Sequence, residues 1–530
     1  MFFIERRKVK PVNGGPQQSA LHELADTHAV QRMWARDPTL WKARPEDDVE
    51  LSNRLGWLSL PEDFLAKANE LTEFASQQAA RGITHAVVCG MGGSSLAPEV
   101  FRITYPRSSG CPELHVLDFT DPGAVRAVDR AIDPAHTLFI ISSKSGGTLE
   151  VMSFLAHFWE LAQGRGEQFC AITDPGTSLD KLAHERGFSK VFLNPTEIGG
   201  RYSALSYFGL VPAALHGLDL DRLLRAAREA QQQCSVEDLA RNPGAQLGAF
   251  FGAHARTGRD KLTVLTSPSI ASFGLWVEQL IAESTGKESK GIVPIVGEPI
   301  GEPHVYSDDR CFVILRVDGD DNAALDGVAQ RLQPALVRTL PDVYALGAEM
   351  YCWEVATALA GALLHINPFD QPNVQESKDN TNRALQAADT TQPEQADLAT
   401  LIQQLKPGDY FSIHAYLTPT ADTEARLQEL RVKVRAKYRV ATTLGFGPRF
   451  LHSTGQLHKG GPPSGVFLQL TYTPAEDVPI PGMAFSFGTL IAAQALGDWH
   501  SLHSRALRVA RVDLNSDVAG GLERIVRAAD

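Results

Sequence analysis

The feature that most constrains the fold is a series of short apolar segments, each followed by a segment of helix length. Residues 84–89 (THAVVC), 114–118 (LHVLD), 137–142 (TLFIIS) and 168–172 (QFCAI) have the length and composition of buried strands. Near-continuous apolar strands that alternate with helices are typical of a parallel sheet covered by helices on both faces. The chain is therefore predicted to be an α/β protein.

The same alternation recurs twice further along the chain. Strands are predicted at 261–266 and 311–317, and again near 410–416, 465–472 and 505–513. We therefore expect two doubly wound parallel-sheet domains, each an αβα sandwich, followed by a third, C-terminal α/β region.

The domain boundaries are placed where the alternation pauses. Residues 386–397 are polar, contain one proline and are predicted to form a linker. The predicted units are an N-terminal helical segment at 1–60, a first domain at 61–195, a second domain at 196–390 and the C-terminal region at 391–530. Three tryptophans of the first unit are expected to pack onto a neighbouring domain: Trp34, Trp41 and Trp57.

Composition excludes several classes of protein. The net charge of −12 argues against a general nucleic-acid binder, which needs clustered Lys and Arg. No apolar run is long enough for a membrane span, and the start, MFFIERRKVK, lacks the apolar core of a secretory leader. The six cysteines show no C-x-x-C spacing and are expected to be reduced core residues. These observations predict a cytoplasmic protein.

The first glycine-rich loop directly follows a predicted strand and opens a helix. It reads GMGGSS over residues 90–95. Glycines let the backbone approach an anion, and a helix N-terminus offers free N–H groups. A dinucleotide site would need a glycine at the sixth position, where this chain has Ser95. The loop favours a phosphate monoester, and the alternative is a tight glycine turn with a serine cap.

A second loop, SSKSGGT over residues 142–148, also lies at the carboxyl end of a predicted strand. Its three serines, one threonine and one lysine are a dense set of donors for phosphate oxygens. Loops at the carboxyl ends of strands of one parallel sheet can converge where open α/β sheets bind ligands. The pair therefore predicts one phosphate site.

Three further segments carry candidate catalytic side chains. Two glycines precede Arg201, which could stabilise an oxyanion or could be a solvated turn residue. Gln279 and Glu283 lie four residues apart on one face of a predicted apolar helix, where Glu283 suits a general base. The alternative is an exposed Glu283 paired with Lys287. In 367–378, Gln371 and Lys378 are seven residues apart and would share a helix face.

These motifs carry a family resemblance. The two loops resemble those of the sugar isomerase (SIS) domain, whose members bind phosphosugars. The order GMGGSSLAP, SSKSGGT, GGRYS, Q-x-x-x-E-S-x-G-K and NPFDQ-x-x-V-x-x-x-K, from about 85 to 380, resembles the glucose-6-phosphate isomerase family. The wording DQPNVQESKDNTN resembles the isomerase portion of fused transaldolase–isomerase proteins, although this chain is too short for a transaldolase barrel as well.

The resemblance implies a role for each matching residue. The phosphate would be held by Ser143, Ser145 and Thr148, with Lys144 nearby and with Gly93 and Ser94 beside the sugar. Glu283 would move a proton between C2 and C1, and Arg201 would stabilise the enediolate. Gln279 and Gln371 would contact the substrate, and Lys378 would assist ring opening. No metal or redox cofactor is implied, since Arg and Lys can supply the electrophilic help.

The resemblance implies that His304 is the histidine that opens the sugar ring. The family has it in a loop after the base, where this chain offers His304 with altered spacing. Two rivals, His452 and His458, lie in a glycine-containing segment of the C-terminal region.

The implied activity is the interconversion of glucose 6-phosphate and fructose 6-phosphate through ring opening and a cis-enediol. Alternatives are an isomerase that also accepts mannose 6-phosphate and a non-catalytic phosphosugar-binding protein. The expected partners are a hexose phosphate and a second copy of the chain in a homodimer, with no nucleic acid or membrane.

Overall fold

The structure is a computed structural model that describes residues 15–41, 51–386, 393 and 397–530. Within helix 374–385, the side chains of Val374, Gln375, Ser377 and Lys378 are not described. Most of the predicted linker at 386–397 lies outside the described residues, as does the start of the predicted N-terminal segment.

The first domain contains a five-stranded parallel sheet in the order β2-β1-β3-β4-β5. Its strands are β1 (His85–Gly90), β2 (Glu113–Leu117), β3 (Thr137–Ser142), β4 (Phe169–Thr173) and β5 (Lys190–Leu193). The central strands β1, β3 and β4 are almost completely buried, as expected for a sheet covered on both faces. The helices between and before these strands are α3 (Leu60–Leu65), α4 (Ala68–Ala80), α5 (Leu96–Thr104), α6 (Pro122–Ala131), α7 (Leu149–Leu161) and α8 (Ser178–Glu185).

The second domain contains a four-stranded parallel sheet in the order β7-β6-β8-β9. Its strands are β6 (Lys261–Thr266), β7 (Val293–Ile295), β8 (Arg310–Val317) and β9 (Ala335–Leu340). Its helices are α9 (Tyr207–His216), α10 (Leu220–Cys234), α11 (Pro243–Arg256), α12 (Phe273–Thr285), α13 (Ala323–Ala329), α14 (Leu346–Leu364) and α15 (Val374–Leu385). Helix α14 packs against α10 and α11 and is buried over nearly its whole length, so it forms the centre of the largest apolar core.

The C-terminal region contains a third parallel sheet, in the order β11-β10-β12-β13. Its strands are β10 (Tyr410–Ala415), β11 (Ala441–Phe446), β12 (Gly465–Thr471) and β13 (Arg508–Asp513). Its helices are α16 (Leu398–Ile402), α17 (Ala421–Tyr438), α18 (Gly455–Gly460), α19 (Phe487–His503) and α20 (Val518–Ala528).

All three sheets repeat one strand order, in which the first strand lies between the second and the third. The second strand lies on one side of the first strand, and the third strand lies on the other side. The connections therefore run in opposite directions across the sheet from the first strand. Open α/β sheets bind ligands at the junction of the first and third strands, outside the carboxyl ends of the strands. The predicted fold class is therefore confirmed, and each sheet lies within one of the predicted ranges, whose boundaries stay a prediction.

The N-terminal helices α1 (Pro16–Asp26) and α2 (Ala29–Trp34) cover the second domain. The Trp41 indole is buried and donates a 2.8 Å hydrogen bond to the carbonyl of Ala358 in α14. Trp57 is completely buried and stacks on Tyr202, with ring centroids 5.1 Å apart. The predicted packing of these tryptophans onto a neighbouring domain is confirmed.

Two further predictions concern residue environments. Five of the six cysteines are buried, and all six are free thiols. Among the described residues, no helix is both long and apolar enough to cross a lipid bilayer.

Candidate active site

The two glycine-rich loops meet at the junction between β1 and β3. The Ser142 hydroxyl donates a 3.4 Å hydrogen bond to the carbonyl of Ser94, and both serines are buried. The hydroxyls of Ser143 and Thr148 lie 3.0 Å apart, immediately before α7. The expected convergence of the loops is therefore present, and it places hydroxyl donors at a helix N-terminus, where an anion is stabilised.

The other two residues of the second loop have different environments. Ser145 is exposed. Lys144 donates hydrogen bonds to the Asp174 carboxylate and, at 3.4 Å, to the carbonyl of Thr196. Burial raises the pKa of Asp174, while the Lys144 ammonium opposes that rise. The charge of Lys144 is thus held at the rim of the loop by a carboxylate.

Glu283 lies on the inner face of α12 and is buried, with only 9% of its surface exposed. Its Oε2 accepts a 3.1 Å hydrogen bond from Gln279 Nε2 and is 3.6 Å from a terminal nitrogen of Arg201. The exposed, helix-end alternative is therefore wrong. A buried carboxylate held between an amide and a guanidinium suits a general base.

Arg201 is buried as well, so it is not a solvated turn residue. Its guanidinium links the turn that carries it to α12 and to the segment before α15. It donates to Ser284 Oγ at 2.8 Å, Gln371 Oε1 at 2.8 Å, the carbonyl of Pro368 at 2.8 Å and the carbonyl of Asp370 at 2.9 Å. Four of its five N–H groups are used in this way, and one on the nitrogen nearest Glu283 is left for a ligand.

Lys287 has a role that the sequence did not reveal. It is buried, and its Nζ lies 2.6 Å from Asp370 Oδ1 and 2.5 Å from the carbonyl of Asn367. Burial, together with the nearby Arg201 charge, lowers the pKa of Lys287 to about 7 despite the Asp370 carboxylate. Lys287 therefore fixes the segment that carries Gln371, instead of pairing with Glu283.

His452 is the one of the three histidine candidates that contacts the residues around Glu283. Its carbonyl accepts a 2.8 Å hydrogen bond from the Gln279 amide, the same group that donates to Glu283. Its ring Nε2 lies 2.9 Å from Oε1 of Glu150, in the first turn of α7. Glu150 is buried and also accepts a 2.7 Å hydrogen bond from Gln494 of α19. The sequence analysis did not single out Glu150, although it directly follows the second loop.

The other two candidates lie in different surroundings. His304 is exposed, and its neighbours Gly301 and Tyr306 contact Arg435 of α17. His458 is buried in an aromatic cluster, with its ring 4.6 Å from that of His414. Burial holds the pKa of His458 well below its usual range. Lys378, the remaining predicted residue, lies on α15, which packs against α19.

The C-terminal region is fixed over the first sheet by a buried ion pair. Arg449 donates two 2.8 Å hydrogen bonds to the Asp118 carboxylate, directly after β2, and its guanidinium lies 4.2 Å from the centre of the Phe119 ring. Burial raises the pKa of Asp118, although the guanidinium favours its charged form. Arg449 lies three residues before His452. The ion pair therefore holds the segment that carries His452 against the carboxyl edge of the first sheet.

Gly93 allows the first loop and the Arg201 turn to touch. A Cβ at this position would lie 2.0 Å from the carbonyl oxygen of Gly200, which is far inside van der Waals contact. We expect Gly93→Ala to displace the Arg201 turn, to lower the free energy of unfolding by about 1–3 kcal/mol and to reduce activity. Gly327→Ala, in α13 and outside both loops, is the matched control, since nothing lies within 4 Å of the Cβ that it would add. Unchanged activity and melting temperature in Gly93→Ala would contradict the close approach.

Known proteins are similar to this chain over the part that carries the site. Residues 63–293 match the family model described as phosphoglucose isomerase, a range that includes both loops, Arg201 and Glu283. A glucose-6-phosphate isomerase of Gloeothece citriformis is 28% identical over 446 residues, which cover 73% of this chain and 82% of the relative. Another, of Nostoc punctiforme, is 26% identical over 495 residues, which cover 84% of this chain and 89% of the relative.

Over residues 63–293 the chain is similar to the phosphoglucose isomerase family. A solved structure of a hypothetical protein from Thermus thermophilus is 26% identical, with a TM-score of 0.60, and covers 69% of this chain and 97% of its own. The structure of a glucose-6-phosphate isomerase from Chlamydia trachomatis has a TM-score of 0.57 at 17% identity and covers 71% of this chain and 86% of its own, a likeness of fold. The resemblance to fused transaldolase–isomerase proteins stays a prediction.

Proposed function

We propose that the chain interconverts glucose 6-phosphate and fructose 6-phosphate. The observation that carries this proposal is the buried Glu283, which lies between Gln279 and Arg201 beside two loops suited to a phosphate. A base, an oxyanion partner and a phosphate site together are the parts that an aldose–ketose isomerase requires. The match to the phosphoglucose isomerase family model and the similarity to curated glucose-6-phosphate isomerases support the same assignment.

The phosphate is proposed to bind the second loop. The hydroxyls of Ser143, Ser145 and Thr148 donate to its oxygens, and the N-terminus of α7 and the nearby Lys144 add positive potential. Gly93 and Ser94 of the first loop then lie beside the sugar. This arrangement points the carbon chain of the substrate toward Glu283.

Ring opening is proposed to use His452, with Glu150 as its positioning residue. His452 donates a proton to the ring oxygen as the bond from C1 to that oxygen breaks, and the C1 hydroxyl loses its proton to solvent. The Glu150 carboxylate, 2.9 Å from the ring, orients the imidazole. Lys378 is proposed, on the family resemblance, to assist at the same oxygen.

Isomerisation follows on the open-chain aldose. Glu283 removes the proton from C2, the electron pair forms a C1–C2 double bond, and negative charge moves onto O1. The remaining N–H of Arg201 stabilises that charge, which exists mainly in the transition state and the enediolate. A proton then moves from the C2 hydroxyl to O1, so that the negative charge lies on O2. Glu283 returns the carbon proton to C1, the C1–C2 double bond is lost, and the carbonyl forms at C2. Gln279 and Gln371 hold the base and the guanidinium in place.

A coupled assay of the purified chain tests the proposed function directly. We expect turnover of glucose 6-phosphate to fructose 6-phosphate, and mannose 6-phosphate in a parallel arm tests the broader specificity. Binding of the sugar phosphate without turnover would support the non-catalytic alternative and overturn the proposal.

The phosphate site makes a separate prediction. Thr148→Val keeps the shape of the side chain but removes its hydroxyl, and we expect KM to rise about 10- to 100-fold, because a hydrogen bond to a charged group contributes about 1.5–3 kcal/mol. The turnover number should change little, since this contact is made equally in the ground and transition states. Thr148→Ser retains the hydroxyl and should restore most of the affinity. A drop in kcat with unchanged KM would place Thr148 outside the phosphate site.

A homodimer and a cytoplasmic location are also proposed, and both rest on the family resemblance.

A further inference from the structure

Three potential metal ligands lie together at the amino-terminal edge of the first sheet. His85 begins β1, Glu113 begins β2, and His115 follows two residues later. In the parallel register His85 pairs with Glu113, and side chains two residues apart on a strand share a face. The three side chains therefore project from the same face of two neighbouring strands.

Their geometry matches the coordination sphere of a small cation. One ligand atom from each residue lies within 4.8 Å of the other two, and among the described residues this is the one such group of three His, Cys, Asp or Glu side chains. His85 Nδ1 and His115 Nε2 are 3.3 Å apart. Two nitrogens bound tetrahedrally to Zn²⁺ at about 2.0–2.1 Å would be separated by about 3.3–3.4 Å. The two rings thus already stand at the required spacing.

We propose that His85, Glu113 and His115 form a binding site for a divalent transition-metal cation of the Zn²⁺ class. The two imidazole nitrogens and one carboxylate oxygen would supply three ligands, and water would take the fourth position. The competing arrangement is a direct hydrogen bond between the two imidazoles with no cation.

The charges around the site are compatible with a cation. Arg102 lies close enough to influence Glu113 and His115, but its guanidinium is held by two hydrogen bonds to Glu99, at 2.7 and 3.0 Å. On the other side, Asp133 adds negative charge near His85 and is itself hydrogen-bonded to His136 at 2.7 Å.

The site is separate from the isomerase machinery. Strand β1 runs from His85 to Gly90, so the cluster and the first glycine-rich loop are about 16 Å apart along the strand, at about 3.3 Å per residue. The strand β2 that carries two of the ligands is the outer strand of its sheet. A bound cation would cross-link this outer strand to the buried β1 and stabilise the sheet without taking part in proton transfer.

Isothermal titration of the full chain with ZnCl₂ tests the proposal. The protein is prepared without a histidine tag and treated with a chelator beforehand. We expect one tight equivalent of Zn²⁺ for the wild type. His115→Gln and Glu113→Gln should each weaken binding at least about tenfold, because the loss of a group that merely orients a ligand already costs 10- to 100-fold. His184→Gln, at an exposed histidine on α8, is the matched control and should bind like the wild type.

Isomerase activity and circular dichroism of each variant show that it is folded. Both should be unchanged in His115→Gln, Glu113→Gln and His184→Gln, with or without Zn²⁺. Equal Zn²⁺ affinity in the wild type and in His115→Gln, or the absence of a tight equivalent in the wild type, would overturn the proposal. The latter result would assign the 3.3 Å contact to a direct imidazole–imidazole hydrogen bond.

Discussion

Glu283→Gln is expected to remove nearly all isomerisation while the protein still folds and binds sugar phosphate. The substitution keeps the size of the side chain and replaces only the group that accepts the C2 proton. A positioned general base contributes about 100- to 10,000-fold to the rate, so kcat should fall by a factor in that range. Folding should be preserved because the amide oxygen can still accept the 3.1 Å hydrogen bond from Gln279. Steady-state kinetics in the coupled assay measure the effect.

Glu278→Gln is the control for this substitution because it makes the same change on the same helix. Glu278 is also buried, and burial raises its pKa to about 7, although Arg431 and Arg449 lie nearby. Its carboxyl is thus partly neutral near pH 7, and an amide should replace it with little effect on turnover. Titration with an acyclic phosphate analogue of the enediolate shows whether each variant still binds ligand. If Glu283→Gln bound the analogue and turned over substrate like the wild type, Glu283 would not be the base.

The fold was largely predictable because its buried strands carry their signal locally. Strands β3 and β6 have the predicted bounds. The bounds differ by one to three residues, at one end or at both, in β1, β2, β4, β8 and the predicted strands of the third sheet. Four strands were not predicted: β5, β7, β9 and β11. Each of them lies at an edge of its sheet. Outer strands are short or half exposed, as in β5 and β9, so the continuous apolar pattern that marks a central strand is absent.

The parts of the site that depend on local spacing were also predictable. The glycine loops and the Gln279–Glu283 pair follow from residues within one turn or one helix of each other. The contacts of Arg201 with residues 167–170 positions later could not be read from the sequence, and neither could the partner of Lys287. Such pairs depend on how distant segments of the second domain pack together, and a single sequence gives no measure of that.

The choice among the histidines shows the same limit most clearly. His452 and Glu150 are 302 residues apart, and the carboxylate and the imidazole meet only because the third sheet packs on the first. The family model ends at residue 293, before the histidine segment. Through Arg449, His452 and Gln494, the C-terminal region closes the carboxyl edge of the first sheet and supplies polar groups to the site. These contacts give the C-terminal region a physical role beyond the two histidine candidates that the sequence offered there.

His452→Gln is expected to lower kcat/KM by about 100- to 10,000-fold, because general acid catalysis of ring opening would be lost. The glutamine cannot supply a proton to the ring oxygen, so turnover would depend on the small fraction of substrate that opens in solution. Binding of an acyclic enediolate analogue should be nearly unchanged, since that ligand has no ring to open. The contrast between lost turnover and retained analogue binding separates a catalytic role from a structural one.

His304→Gln tests whether His304 or His452 opens the ring, because it makes the same change at the exposed histidine near α17. We expect its activity to match the wild type, and a large loss there with full activity in His452→Gln would reverse the proposal. Glu150→Gln adds a second check, since Glu150 acts on the ring oxygen only through the imidazole. Glu150→Gln should therefore lower kcat/KM less than His452→Gln does. The double variant should be no slower than His452→Gln alone. Fully additive losses would mean that the carboxylate and the imidazole act on the substrate independently.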